Sequence, residues 1–367
     1  MVCFKGCIRM LKALCQSLCL SLPLAACAQA ASVVFLNPGH SNETFWVNYS
    51  RFMQAAADEL GMTLRVEYSE RDAARAMSQA RATLDGPQRP DYLVLVNEQY
   101  LAPEIIRLSR GTGVKLFLVN NGLTANQARS IQAQPDRYGQ VLGTLTGNDQ
   151  QAGFRMLHEM VALVPRDNEP IDLVAFAGVK TTPASQLREE GMRQALADFP
   201  QVRLRQVVYG GWSRERAYEQ AKQLLQRYPQ TRLVWAANDE MAFGAMQAFE
   251  EAGRKPGRDV VFAAVNSSPQ ALRARIDGRL GVLMGGHTTL GGWAMVLLHD
   301  DAQGLQVNRD GKQEHVLPVL QSIDQAKARR WLKLLERDDY GVDFLHYSAQ
   351  GQPPSYQYPF LASPVDY

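Results

Sequence analysis

Cysteine is nearly absent from this chain. Cys3, Cys7, Cys15, Cys19 and Cys27 all lie in the first 27 of 367 residues, and the following 340 contain none. The body therefore has no disulfide, no thiolate metal site and no cysteine nucleophile. A charge excess of one sign is missing too. The chain has 39 basic and 37 acidic residues, and without Lys5, Arg9 and Lys12 the balance is 36 minus 37, or −1. A near-neutral body is not built to neutralise many phosphates, so no nucleic-acid partner is expected. No apolar run after residue 30 is long enough to span a bilayer. The six histidines, at 40, 158, 287, 299, 315 and 346, show neither H-x-x-H nor H-E-x-x-H spacing, and G-x-S-x-G and P-loop lysine motifs are absent. The sequence thus disfavours a catalytic metal, a serine hydrolase and a nucleotide-hydrolysing enzyme, and implies no cofactor.

What is present begins with an export segment. Lys5, Arg9 and Lys12 precede an apolar run from Leu11 to Ala26, and no acidic residue occurs before Glu43. Ala28-Gln29-Ala30 forms an A-x-A cleavage pattern, so residues 1–30 read as a signal peptide. An uncleaved anchor and a start at Met10 are alternatives. Leu24-Ala-Ala-Cys27 resembles a bacterial lipobox and would tether the protein at Cys27. The expected location is the periplasm in either case.

Past the signal, strand and helix patterns alternate. Ser32–Leu36, Thr63–Tyr68, Tyr92–Val96, Lys115–Val119 and Gln140–Leu145 read as strands, separated by helical spacings such as Phe45, Tyr49, Met53, Ala56 and Leu60. A helix from about Gln150 to Leu163 closes this run. The pattern restarts with strands at Ile171–Phe176, Val202–Val208, Leu233–Ala236 and Val260–Val265. Two such runs predict an α/β protein of two doubly wound parallel-sheet lobes joined by a hinge. The expected boundaries are 31–165 plus 288–305 for the N-terminal lobe and 166–287 plus 306–337 for the C-terminal lobe. Pro165–Pro170, polar and bracketed by prolines, is the candidate hinge. Residues 338–367 form an aromatic tail carrying Tyr340, Phe344, Tyr347, Tyr356, Tyr358 and Phe360, read either as a strap packed on a lobe or as a partner-binding surface.

Several segments together resemble the periplasmic sugar-binding proteins of the type I solute-binding fold, which is shared with LacI-like regulators. Asn238-Asp239-x-x-Ala242-x-Gly244-Ala245 is similar to that family's N-D-x-x-A-x-G-A segment, and Ser185, Arg188 and Gly191 to its S-x-x-R-x-x-G pattern. Asp149 with Ala152-Gly153, and the glycines at 278, 281, 291 and 292, fall in matching order. The resemblance implies a site between the lobes. Arg188 would grip hydroxyls or a carboxylate, Asp149 would accept hydroxyl protons from the first lobe, and Asn238 and Asn266 would offer a donor and an acceptor each. The loop from Asn37 would lie over the ligand, with Phe45 or Trp46 stacking on it. His287 sits where the second lobe hands back to the first. Glu98 and Asn120, at strand ends, are further candidates under the rule that open α/β sheets bind ligands at the carboxyl ends of strands. Trp212 could also line the cleft, whereas Trp235 reads as sheet core.

Each of these has a plainer reading. Asp149 and Asn238 suit helix caps, Arg188 suits a helix surface and Trp46 suits a core. The family commonly carries aspartate where this chain has Asn266, which opens room for an anionic or differently hydroxylated ligand. The functional expectation is a solute-binding protein without enzymatic activity that captures a small sugar-like ligand. Its partner would be a membrane ABC permease or, alternatively, a membrane sensor for which the loaded protein is a co-receptor. Arg188→Ala is expected to abolish binding and leave the fold intact.

Overall fold

A computed structural model describes residues 30–165, 169–308, 310–337 and 340–363. The export segment up to residue 29 lies outside them. Ala31–Tyr367 is one compact unit.

The chain runs β1 (Ser32–Asn37), α1 (Thr44–Glu59), β2 (Thr63–Tyr68), α2 (Ala73–Asp85), β3 (Tyr92–Leu95), α3 (Ala102–Leu108), β4 (Lys115–Asn120), α4 (Ala125–Gln132), β5 (Val141–Gly147) and α5 (Asp149–Ala162). It continues with β6 (Ile171–Ala177), α6 (Pro183–Ala195), β7 (Val202–Tyr209), α7 (Arg214–Arg227), β8 (Thr231–Ala236), α8 (Asp239–Glu251), β9 (Val261–Val265), α9 (Pro269–Ile276) and β10 (Val282–Gly285). Last come α10 (Leu290–Ala302), β11 (Glu314–Leu317), β12 (Gln321–Ser322), α11 (Gln325–Leu334) and α12 (Pro359–Ala362).

The strands form two six-stranded sheets, β11-β5-β4-β3-β1-β2 and β12-β10-β9-β8-β6-β7. All neighbours pair in parallel except β12, which is antiparallel to β10. Central strands such as β3, β6 and β10 are buried along their whole length, as parallel strands covered by helices on both faces must be. Polar N-caps start the helices: Asp72, Ser213, Ser268 and Asp324 each accept a backbone N–H. In both sheets the chain order reverses beside the first strand, so the carboxyl ends of β1, β3, β6 and β8 flank the crevices where such sheets hold ligands.

The lobe boundaries differ from the sequence expectation in two places. Helix α5 packs with the second sheet, because Ala152, Met156, Leu157 and Met160 join the core containing Leu173, Phe176 and Val234. The chain therefore leaves the first lobe between β5 and α5, not at Pro165–Pro170. That stretch, whose residues 166–168 lie outside the described residues, joins two elements of the second lobe. Residues 306–317 also belong elsewhere than expected, since β11 pairs with β5 in the first sheet. Three crossings result: 147–149, 285–290 and 317–321. Asn148 ties the first to the third, its Oδ1 accepting from Leu320 N at 2.9 Å and its Nδ2 donating to Leu320 O at 3.3 Å. The second crossing passes so close that a Cβ on Gly286 would sit 2.2 Å from Val319 O, and its φ of +120° is open only to glycine without strain.

The aromatic tail is packed core. Tyr340, Phe344, Tyr358 and Phe360 join the first-lobe cluster with Phe52 and Trp293. Phe360 stacks on Trp293 at 4.9 Å and 11°. Buried Asp300 on α10 accepts from Ser348 Oγ, from Ala349 N at 2.6 Å and from Tyr358 OH at 2.8 Å. Burial pushes the Asp300 carboxyl up, but these bonds and one from His299 hold it below the usual carboxylate range.

Candidate ligand cleft

The site starts from two glycines. Gly153 on α5 and Gly191 on α6 let the helices touch backbone to backbone, since added Cβ atoms would lie 2.0 Å from Arg188 O and 1.9 Å from Gln150 O. That contact sets Arg188 against Asp149. Arg188 Nε donates to Asp149 Oδ1 at 2.7 Å, and Nη1 donates to Ala237 O at 2.7 Å. Its Nη2 lies 3.3 Å from His287 Nε2. A guanidinium has no acceptor, so His287 Nε2 accepts and the neutral ring carries its proton on Nδ1. Burial, and then the charge of Arg188, push the His287 pKa well below its ordinary value, which keeps the ring neutral.

Around this anchor the two lobes form a cleft. Phe45, Trp46, Glu98, Asn120, Arg188, Asn238, Asn266 and His287 all line it. Eight of the ten residues singled out in the sequence thus meet at one place. The other two sit behind it. Asn37 is fully buried and holds the start of α1, donating to Trp46 O at 3.3 Å and Ser50 Oγ at 3.0 Å and accepting from Gly39 N at 2.9 Å. Asp149 belongs to the second lobe, not the first, and its carboxylate faces Arg188 rather than the cleft. Burial raises the Asp149 pKa against the pull of Arg188.

Five lining residues were not singled out: Glu43, Arg71, Asn121, Thr182 and Ala184. Trp212, noted as a possible wall, lines the cleft, and Trp235 is fully buried in the sheet as expected. Arg71 follows β2 at its carboxyl end, where the strand-end rule points, but a lone arginine in a turn gives no stronger signal. It holds Glu43 in a two-armed ion pair, with Nε 3.0 Å from Oε2, and lies 3.6 Å from Glu98 Oε1. Glu98 is buried, which raises its pKa, while Arg71 and the hydroxyl of Thr182 pull it down.

Several of these contacts cross between lobes. Thr182 Oγ1 donates to Glu98 Oε1 at 2.7 Å, Ala184 N to Asn121 Oδ1 at 2.9 Å, and Gln186 Nε2 to Tyr100 OH at 2.6 Å. The lobes are closed on one another. Phe45 stacks on His287 at 4.7 Å and 28° and meets Trp46 edge-on. Opposite, the Trp212 indole lies over Gly178, where a Cβ would come within 2.2 Å of the ring. Arg71, Asn120, Trp212 and Asn266 all hold left-handed φ values, between 58° and 114°. Backbone strain is concentrated at the cleft, as it is at many functional sites.

Asn238 caps α8 through its Oδ1, which accepts from Met241 N at 2.9 Å, and its Nδ2 donates to Trp212 O at 3.3 Å. Asn266 Nδ2 donates to Asp239 Oδ1 at 2.7 Å. The carboxylate missing at position 266 therefore stands directly behind it, where burial pushes the Asp239 pKa up to about 6.

Residues 33–305 match the periplasmic binding protein domain family. The chain belongs to this family. The ribose import binding protein RbsB of Escherichia coli (strain K12) is 26% identical over 276 residues, covering 74% of this chain and 85% of that protein. The D-apiose import binding protein of Paraburkholderia graminis is 25% identical over 258 residues, covering 70% and 77%. The crystal structure of a periplasmic sugar-binding protein from Pseudomonas fluorescens superposes with a TM-score of 0.83 at 56% identity, covering 90% of this chain and 98% of that one. The two-lobed solute-binding architecture read from the sequence is the architecture of the family.

Proposed function

We propose that this protein is exported to the periplasm, captures a neutral sugar between its lobes and delivers it to an ABC importer. One observation carries the choice of a neutral ligand over an anionic one: both cations of the cleft are already paired. Arg188 is matched by Asp149, and Arg71 by Glu43 and Glu98. An anionic ligand would meet no unmatched cation, and it would face one carboxylate in excess, because the single charge of Arg71 is shared by Glu43 and Glu98. What the cleft offers instead suits a polyhydroxylated ring: the aromatic surfaces of Phe45, Trp46 and Trp212, and amide groups from Asn120 and Asn121. Trp46 Nε1 and His287 Nδ1 are buried and make no hydrogen bond to a described residue; the indole nitrogen always carries a hydrogen, and the tautomer argument gives one to His287 Nδ1. Arg188, Glu98, Asn120 and His287 would contact the sugar. Asp149, Asp239 and Asn37 would hold those groups in place. The names of the relatives, which import ribose and apiose, support the same ligand class.

The cleft carries no reaction in this reading, and the protein acts by binding alone. Its partner is a membrane permease. The rival partner is a membrane sensor; the buried core position of much of the aromatic tail, which leaves less of it as a partner-binding surface, leaves the permease favoured. In vesicles holding a sugar-uptake permease and its ATPase, the loaded protein should stimulate ATP hydrolysis. Binding to a sensor's periplasmic domain, with no stimulation of any importer, would reverse the assignment. A soluble product cut after Ala30 is proposed over lipidation at Cys27, and the mass of the purified periplasmic protein decides between them.

A further inference from the structure

A second cavity adjoins the cleft and shares Phe45 and Asn266 with it. Its walls come from α1 of the first lobe, through Asn48 and Phe52, and from the second lobe, through Ser267, Trp331 and Leu334. The crossing at Gly286 and Thr288 completes it. No Asp, Glu, Lys, Arg or His lines it, whereas Glu43, Arg71, Glu98 and Arg188 line the cleft. An ion entering it would lose hydration without a counter-charge. A flat apolar molecule would gain by covering Phe52, Trp331 and Leu334, with Asn48, Ser267 and Thr288 supplying polar atoms for one or two hydrogen bonds.

The cavity is also mechanically placed. Trp331 Cη2 would lie 3.5 Å from a Cβ on Gly286, the crossing residue held at φ +120°. An occupant touches both lobes and the crossing together, so its contacts depend on the angle between the lobes. A ligand with such state-dependent contacts shifts the open–closed balance, and by linkage it changes the affinity of the cleft.

We propose that this cavity is a second binding site, for a small uncharged aromatic molecule, and that filling it favours the closed arrangement of the lobes. The site is independent of which ligand the cleft takes. The test uses Ala31–Tyr367 and indole as the probe, with no sugar present, so its failure is separable from failure of the sugar reading. Thermal shift reads binding. Because this unit contains no cysteine, Arg110→Cys on the first lobe and Glu219→Cys on the second take spin labels at single sites, and the label distance reads closure. The expected result is a saturable rise in Tm with the label distances gathered into the shorter population. Leu334→Trp and Asn48→Trp, which fill the cavity from opposite lobes, should each weaken indole by about tenfold or more through steric exclusion. No saturable binding, or binding undiminished in both filled variants, overturns the site. Binding that leaves the label distances unchanged overturns the coupling.

Discussion

Arg188 and Asp149 form a buried ion pair, 2.7 Å apart, with each side chain only 4% exposed. The pair makes Arg188 more than a ligand contact. Removing one partner of a buried pair leaves the other uncompensated, at a cost of roughly 3–5 kcal/mol. Arg188→Ala should therefore lose stability as well as sugar binding, contrary to the binding-only effect expected from the sequence. Asp149→Ala should cost stability of the same order. The double variant should be less destabilised than the sum of the two, because neither charge is then stranded. Urea unfolding of the three variants checks this, and strict additivity would show that the pair is not coupled.

Asp239 gives a pH signature. Its folded pKa of about 6 lies above its unfolded value near 3.8. The folded state thus holds an extra proton between those values, and stability falls as pH rises through that window, then levels off above it. Asp239→Asn keeps an acceptor for Asn266 and removes the titration. Relative to Asp239→Asn, the parent protein should lose Tm between about pH 4 and 6 and run parallel above. Parallel curves across the whole range would mean that Asp239 is not held protonated by burial.

The tail should behave as part of the first-lobe core. Phe360→Ala removes a ring stacked on Trp293, and Phe-to-Ala changes in cores cost roughly 3–5 kcal/mol. Tyr358→Phe removes one bond to the Asp300 carboxylate, worth about 1.5–3 kcal/mol for a charged acceptor. Denaturation midpoints measure both, and an unchanged midpoint for Phe360→Ala would return the tail to the surface.

Gly286→Ala should strain the second crossing, because the new Cβ would meet Val319 O at 2.2 Å and the φ of +120° disfavours a side chain. The expected effect is weaker sugar binding with each lobe's core intact, read by calorimetry beside circular dichroism. Unaltered affinity would show that this crossing does not govern closure.

Much of the fold was legible because its elements announce themselves locally. The helix Arg214–Arg227 and the strand Thr63–Tyr68 follow from periodicity alone. Elements that depend on distant partners were not. Strand β11 is four residues with an exposed edge, and β12 is two residues, so neither has a pattern of its own. Helix α4 buries no residue and is held by a capping box between Thr124 and Gln127. The lobe of α5 was misread because an amphipathic helix shows that it packs, not against which sheet. At the cleft, residues in motifs or at strand ends were visible. Arg71 and Glu43 were not, since their pairing spans 28 positions of chain and joins a turn residue to the residue that precedes α1.

The central claim is that a cleft whose arginines are already paired selects a neutral sugar over its acid. Titration calorimetry of Ala31–Tyr367 with neutral pentoses and hexoses, each beside its uronic or aldonic acid, tests it directly. The expected result is saturable one-to-one binding of a neutral sugar. At 100 times its Kd this would add about 2.7 kcal/mol of stability, and the matching acid would show no heat. Binding of the acids alone, or of no sugar at all, would contradict it.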